Sequence, residues 1–195
     1  MFSKRSKNKD DALNDEELVS ALQKHMDTER FGVLYDRYTT KVYQKCLGMT
    51  RDKDLAKDLT HDIFLKAFMN LSKFDHRSKF GTWLYSITYN YCLDTLRKGQ
   101  RTRSEEIDER IEDGVIDDQA YEAKLLGLRA DRLDLVIAQL DPSDRALLLM
   151  KYQEDLSVKE IMEVMALQES AVKMRILRAR ERALRLYVQL YPEEP

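Results

Sequence analysis

A chain of 195 residues with 43% apolar and 35% charged side chains has room for one or two small domains, and its six Gly and three Pro argue for long helices rather than strands. The net charge of −2 hides an asymmetry: 20 basic against 14 acidic side chains in residues 1–103, 4 against 12 in residues 104–141, and 9 against 9 beyond. That pattern suggests a basic module, an acidic linker and a mixed module, and no apolar run approaches the length of a membrane span.

Residues 1–13 are polar and charged without an apolar segment, so they read as a disordered start and not as a signal peptide. Asn14 or Asp15 is placed to cap a helix beginning DEELVSALQKH, with acids in its first turn. Phe31, Leu34, Tyr35, Tyr38, Val42 and Tyr43 recur at helical spacing over Arg30–Leu47, and Gly48 to Arg51 is expected to break that helix. A third helix is predicted from about Asp52 to Leu71. It has an apolar stripe of Leu55, Ala56, Leu59, Ile63 and Ala67, with Phe68 at its edge, and a polar side with Lys57, Asp58, His61, Asp62, Leu65 and Lys66. Phe74 to Lys79 reads as a loop of both charge signs, and a fourth helix from Gly81 or Thr82 to Lys98 follows, with Thr82 as cap and Gly99 as stop.

The stretch Lys73–Lys98 interleaves rings with cations. It holds the single Trp, Trp83, with Phe74, Phe80, Tyr85, Tyr89 and Tyr91, flanked by Lys73, Arg77, Lys79, Arg97 and Lys98. Rings that stack on base faces beside cations that track phosphates are what a protein needs to hold unstacked bases. The same stripe also fits an ordinary helix core, and Trp83 fits both roles.

Residues 104–123 carry nine acids and one base, Arg110, with apolar residues too sparse for a core, so a tether is expected. The helical pattern returns with Leu125, Leu128, Leu133, Val136, Ile137 and Leu140, and Asp141-Pro142 stops one helix and starts the next. Asp144–Gln153 is short and apolar, and Glu154-Asp155 reads as a turn. Ser157 and Glu160 form a capping box for VKEIMEVM, Ala166 to Glu169 is a short turn, and a last helix runs from about Ser170 to Leu190. At 100° per residue Val172, Ile176, Ala179, Ala183 and Leu186 share a face, with Arg175, Arg178, Arg182 and Arg185 on its flank. Six cations (the others are Lys173 and Arg180) against one acid, Glu181, over residues 170–185 make this a helix-turn-helix candidate for duplex DNA.

No catalytic constellation is present. His25, His61 and His76 are scattered without ligand pairing, so no metal or other cofactor is expected, and Cys46 and Cys92 read as buried, reduced thiols of a cytoplasmic protein.

Three segments in this order resemble the small extracytoplasmic-function (ECF) group of bacterial RNA polymerase sigma factors. DLTHDIFLKAF at 58–68 resembles the family's polymerase-docking helix, FGTWLYSITYNYCLDTLRK at 80–98 its minus-ten segment, and LSVKEIMEVMALQESAVKMRILRARERAL at 156–184 its minus-thirty-five helix-turn-helix. The resemblance spans about Glu17 to Leu186. It implies an all-α protein of two helical domains, an N-terminal bundle (14–100) and a C-terminal helix-turn-helix domain (128–190), joined by the acidic linker 101–127. It further implies a protein that is not an enzyme, that directs promoter recognition and opening, and whose partners are core polymerase, promoter DNA and an anti-sigma factor, without membrane insertion. The alternative is a stand-alone helix-turn-helix regulator.

Carried onto this chain, the resemblance assigns docking to Asp58, His61, Asp62, Leu65 and Lys66. Minus-ten contacts fall to Asp75, His76, Arg77, Ser78, Lys79, Trp83, Tyr85 and Tyr89. Minus-thirty-five contacts fall to Gln168, Glu169, Ser170, Ala171, Lys173, Met174, Arg175 and Arg178. The chain departs from the family pattern at His61, where Gln is usual, and at Ser86 and Tyr89, where a basic residue is common. It departs again at Met162, Ala166 and Gln168, in place of a small residue, the turn Gly and a Ser/Thr cap. The tether's negative charge is expected to imitate nucleic acid and to keep the free protein off DNA.

Overall fold

The computed structural model describes residues 10–100 and 130–192, with Ala123 and Gly127 between them. The acidic tether, and Leu125 and Leu128 of the predicted stripe, lie outside these residues. The described residues form eight α-helices and fall into two compact units, one running to Cys92 and the other taking up most of the chain beyond it.

The first unit opens earlier than the sequence suggests. Asp10 to Leu13, expected within the disordered start, form a turn: Asp10 pairs with Arg30 at 3.2 Å, and Arg37 donates to the carbonyls of Asp11 and Leu13. Helix α1 (Asp15–Lys24) is capped by Asn14, whose Oδ1 accepts from the Glu17 N–H while the Glu17 carboxylate accepts from the Asn14 N–H. The two orphan donors are satisfied reciprocally. Leu18, Val19 and Leu22 turn inward, and Arg37 holds Asp15 at 2.6 Å.

Helix α2 (Thr28–Thr50) is capped by Asp27 and runs straight through Gly48. An interior Gly costs only about 1 kcal/mol. Burying Cys46 and Met49 on either side outweighs that cost, so the break comes instead at Arg51, which takes the left-handed conformation at φ 58°. Helix α3 (Lys53–Asn70), capped by Asp52, packs along α2. Its buried stripe includes Phe64, which the sequence reading left out; that ring meets Tyr35 at 4.5 Å and Phe31 at 6.5 Å. A single 3₁₀ turn, Leu71–Lys73, leads into the loop 74–79.

Helix α4 (Phe80–Gln100) begins at Phe80, so Thr82 lies inside the first turn and is not the cap. It also continues past Gly99, whose modest helix penalty does not stop it. Its buried positions as far as Cys92, namely Phe80, Leu84, Thr88, Tyr89 and Cys92, follow helical spacing, and Phe80 and Cys92 meet Tyr38 and Cys46 of α2. Each large side chain buried this way contributes about 1.5–3 kcal/mol. The two cysteines are both buried, with the Cys92 thiol donating to Cys46 Sγ at 3.7 Å.

In the second unit, α5 (Ala130–Gln139) is followed by α6 (Pro142–Leu148), with Asp141 as cap and Pro142 in the first turn. Arg145 is buried, and its guanidinium donates to the carbonyls of Ile137, Ala138 and Leu140. It thereby satisfies the orphan acceptors at the end of α5 and places positive charge against the negative end of that helix. A π-helical turn (Leu149–Gln153) continues α6, and Asp155 turns the chain with φ 51°. Helix α7 (Val158–Met165) carries the Ser157–Glu160 capping box, and α8 (Glu169–Leu190) packs on α5 and α6. Val136, Leu140, Leu148, Ala179, Ala183, Leu184 and Tyr187 form the core of this unit, with Leu186 half-buried beside it.

Candidate nucleic-acid and protein interfaces

The loop 74–79 is pinned at both ends by buried rings. Phe74 and Phe80 meet edge-on at 6.2 Å, and Trp83 leans on both at 5.3 and 5.8 Å. With its ends committed to the core, the intervening chain is forced outward. Asp75, His76, Arg77 and Lys79 are exposed and Ser78 is half-exposed. Asp75 accepts from the Arg77 backbone N–H at 3.2 Å and pairs with its guanidinium, and these contacts, the backbone one foremost, hold its carboxyl below the usual carboxylate range. His76 sits at φ 59°, a conformation that costs a non-glycine residue about 1–2 kcal/mol.

The ring candidates divide. Trp83 is half-buried, with Phe74 and Phe80 packed against it. Tyr85 is also half-buried. It lies edge-on to Tyr38 at 6.2 Å, and the buried Lys45 ammonium stands 4.2 Å from its ring centre. Tyr89 is a correction: at 2% exposure it belongs to the core. It follows Leu84 by five residues and precedes Leu93 by four, which places it inside the buried stripe of α4 and out of reach of a base.

On α3, Asp58, His61, Asp62, Leu65 and Lys66 are all exposed, as the helical spacing predicts. Leu65 is 59% exposed, and Met69, one turn on and absent from the sequence reading, is 69% exposed. The two form an apolar strip beside charged neighbours. Tyr91 of α4 braces two of the charged neighbours of that strip. Its hydroxyl donates to Asp62 at 2.9 Å, and the Lys66 ammonium stands 4.8 Å from its ring centre. The bond to Asp62 pushes the phenol pKa up. Met69 was legible as the next i+4 position after Leu65. Tyr91 was not, because its link to α3 spans two helices.

The α7–turn–α8 segment is a helix-turn-helix. Ala166 takes the left-handed conformation at φ 53°, and the N–H groups of Ala166 and Leu167 both donate to the Met162 carbonyl. Gln168 precedes α8 without a side-chain cap bond. Gln168, Glu169, Ser170, Lys173, Met174, Arg175 and Arg178 are exposed, and Ala171 is half-buried. Lys173 pairs with Glu169 at 2.6 Å, which lowers the Glu169 pKa.

The six cations of 170–185 do not share one role. Arg180 is buried against Tyr152, donating to its hydroxyl with its guanidinium 5.5 Å from the ring centre. Arg182 pairs with Asp144 at 2.6 Å and Arg185 with Glu181. Burial pushes the Asp144 carboxyl upward even with Arg182 beside it. Among the described residues no ion pair involves Arg175 or Arg178, although Arg175 stands near enough to Asp144 to favour its charged form, so the open positive charge lies toward the first half of α8.

Comparison with known proteins accords with this arrangement. A Sigma-70 region 2 model matches residues 34–102, and a Sigma-70 region 4 model matches residues 130–182. The ECF RNA polymerase sigma factor SigW of Bacillus subtilis is 31% identical over 166 residues, covering 80% of this chain and 87% of the relative. Two solved structures share the fold. The structure of CnrH in complex with the cytosolic domain of CnrY is 23% identical with a TM-score of 0.62, over 92% of this chain and 99% of the other. The structure of RpoE from Bartonella quintana with the anti-sigma factor NepR is 18% identical with a TM-score of 0.58, over 82% and 97%.

Proposed function

The chain belongs to the ECF RNA polymerase sigma factors and directs promoter-specific transcription initiation, and we propose that the surfaces described above divide that task among them. The outer face of α3 docks on core polymerase through Leu65 and Met69, with Asp58, His61, Asp62 and Lys66 around them. The observation that carries this reading is the pair of exposed apolar side chains on a helix whose other side is committed to the core. Isolated exposed apolar residues are ordinary, but a strip rimmed by charge is the anatomy of a protein interface.

The loop 74–79 then receives the non-template strand of the minus-ten element. An extruded base needs polar groups for its edge and a wall for its face. Asp75, His76, Arg77, Ser78 and Lys79 supply the first, and Trp83 and Tyr85 supply the second. Stacking one base contributes about 1–3 kcal/mol, enough to favour an opened duplex. The start of α8 enters the major groove at the minus-thirty-five element, with Gln168, Glu169, Ser170, Ala171, Met174 and Arg175 near base edges and Lys173 and Arg178 toward phosphates.

In this reading residues 14–100 and 128–190 are the two working domains and 101–127 the tether. The chain performs no catalysis itself and works in the cytoplasm. As with the RpoE structure solved with NepR, an anti-sigma partner is part of the proposal. No helix among the described residues is long and apolar enough to cross a membrane.

Two variants test the division. Replacing Arg77, Ser78 and Lys79 with Ala should change which minus-ten sequences are transcribed, while polymerase affinity stays within about twofold. Leu65→Asp should do the reverse and weaken polymerase binding by more than about tenfold. Loss of polymerase binding in the loop variant, or none in Leu65→Asp, would contradict the assignment.

A further inference from the structure

The loop that faces the minus-ten strand is held by a residue that belongs to neither the loop nor α4. Gln23, half-buried on α1, donates both hydrogens of its amide, one to the Leu71 carbonyl at 2.9 Å and the other to the Phe74 carbonyl at 2.7 Å. Its Oε1 meets His76 Nε2 at 2.9 Å. One side chain therefore clasps the entry of the loop and its left-handed residue together, across about 50 residues of sequence.

The hydrogen inventory then fixes the imidazole. A primary amide has two donors and one acceptor group. Both Gln23 donors are committed to carbonyls, so the atom facing His76 is the oxygen, and the ring must donate from Nε2. A neutral ring with its proton on Nε2 has Nδ1 as its acceptor. His76 also leans on Phe74, with ring centres 4.7 Å apart and the planes tilted by 52°, which helps to set the ring plane. The φ of 59° at His76 carries strain that these contacts offset.

We propose that Gln23 is a specificity-determining positioning residue for minus-ten recognition: it holds the loop entry and the Nε2–H form of His76, so that Nδ1 accepts from the exocyclic amine of an unstacked base. Adenine, cytosine and guanine carry such an amine; thymine does not, and its one donor, the ring N3–H, is set back from where an amine hydrogen stands. A site built around an acceptor disfavours a base that leaves it unpaired. The inference rests on the base-capture role of the loop proposed above, and adds to it a residue outside the loop and the sign of the hydrogen bond.

The test uses holoenzyme and a promoter set carrying each base in turn at every minus-ten position, with wild type, Gln23→Leu and the Arg77/Ser78/Lys79 triple variant compared. Gln23→Leu should reduce the preference for amine-bearing bases over thymine at one position by about fivefold, the worth of one hydrogen bond, with polymerase affinity unchanged. In parallel, nitrogen-15 spectra of the full-length wild-type protein at alkaline pH should show His76 with its proton on Nε2, and Gln23→Leu should move it toward a mixture. A wild-type ring protonated on Nδ1 overturns the proposal whether or not the variant folds. An unchanged preference in Gln23→Leu, when the triple variant shifts it, overturns this inference and leaves base capture by the loop standing. No shift in either variant overturns both.

Discussion

Single residues set the local geometry here, and several of them contradict their type. Ala166 stands where the chain turns left-handed between α7 and α8, a position that favours Gly. The sequence reading flagged it from the resemblance alone, and the φ of 53° bears that out. Ala166→Gly should relieve the turn. Left-handed Ala costs about 1–2 kcal/mol, and the extra chain entropy of Gly returns part of it, so a net gain of about 0.5–1 kcal/mol is expected. Denaturant melts of the two proteins measure it; a loss of stability would mean that Ala166 makes packing contacts worth more than its strain. Arg145 and Arg180 were not legible as structural residues. An Arg in a sequence reads as surface charge, and only the fold brings three carbonyls to one guanidinium and a Tyr ring to the other. Gln23 is the same case in polar form.

Elements were legible where one period dominates. The 3.6-residue spacing located α2 and α3 to within a few residues and put the predicted docking residues of α3 outside, while cap and stop signals located α1 and α4 about as closely. The ends were less legible. Gly48 and Gly99 looked like stops, but helix propensity is a weak force beside the burial of neighbouring side chains. In α4 the aromatic stretch could not be sorted by composition. Burial divides it: Phe80 and Tyr89 are core, while Trp83 and Tyr85 are half-buried. In α8 the count of cations overstated the binding surface, since Arg180 is inside and Arg182 and Arg185 have carboxylate partners. Arg175 and Arg178 should therefore dominate its electrostatic contribution. Arg178→Ala should lower the slope of log affinity against log salt by about 0.9 for binding to minus-thirty-five duplex, evenly across sequences. Arg185→Ala should leave the slope nearly unchanged. Equal effects would mean that the carboxylate partners do not hold their arginines in solution.

At the scale of the whole molecule, the charge blocks announced two modules and a tether before any helix was placed. The described residues do form two compact units, but the tether between them lies outside those residues. Neither unit explains the chain alone. A duplex-binding regulator would need only α7 and α8, and would leave the apolar strip of α3 and the ring-pinned loop without a purpose. The proposed function gives all three surfaces a part in one event, in which polymerase brings the chain to a promoter and the loop takes hold of the strand that opens. The most direct measurement is run-off transcription from a promoter library with purified core polymerase, paired with duplex binding by the chain alone. Transcripts should appear only when chain and polymerase are both present, from templates sharing a minus-ten and a minus-thirty-five element, with little duplex binding by the free chain. Tight, sequence-specific duplex binding without polymerase, and no transcripts with it, would contradict the account.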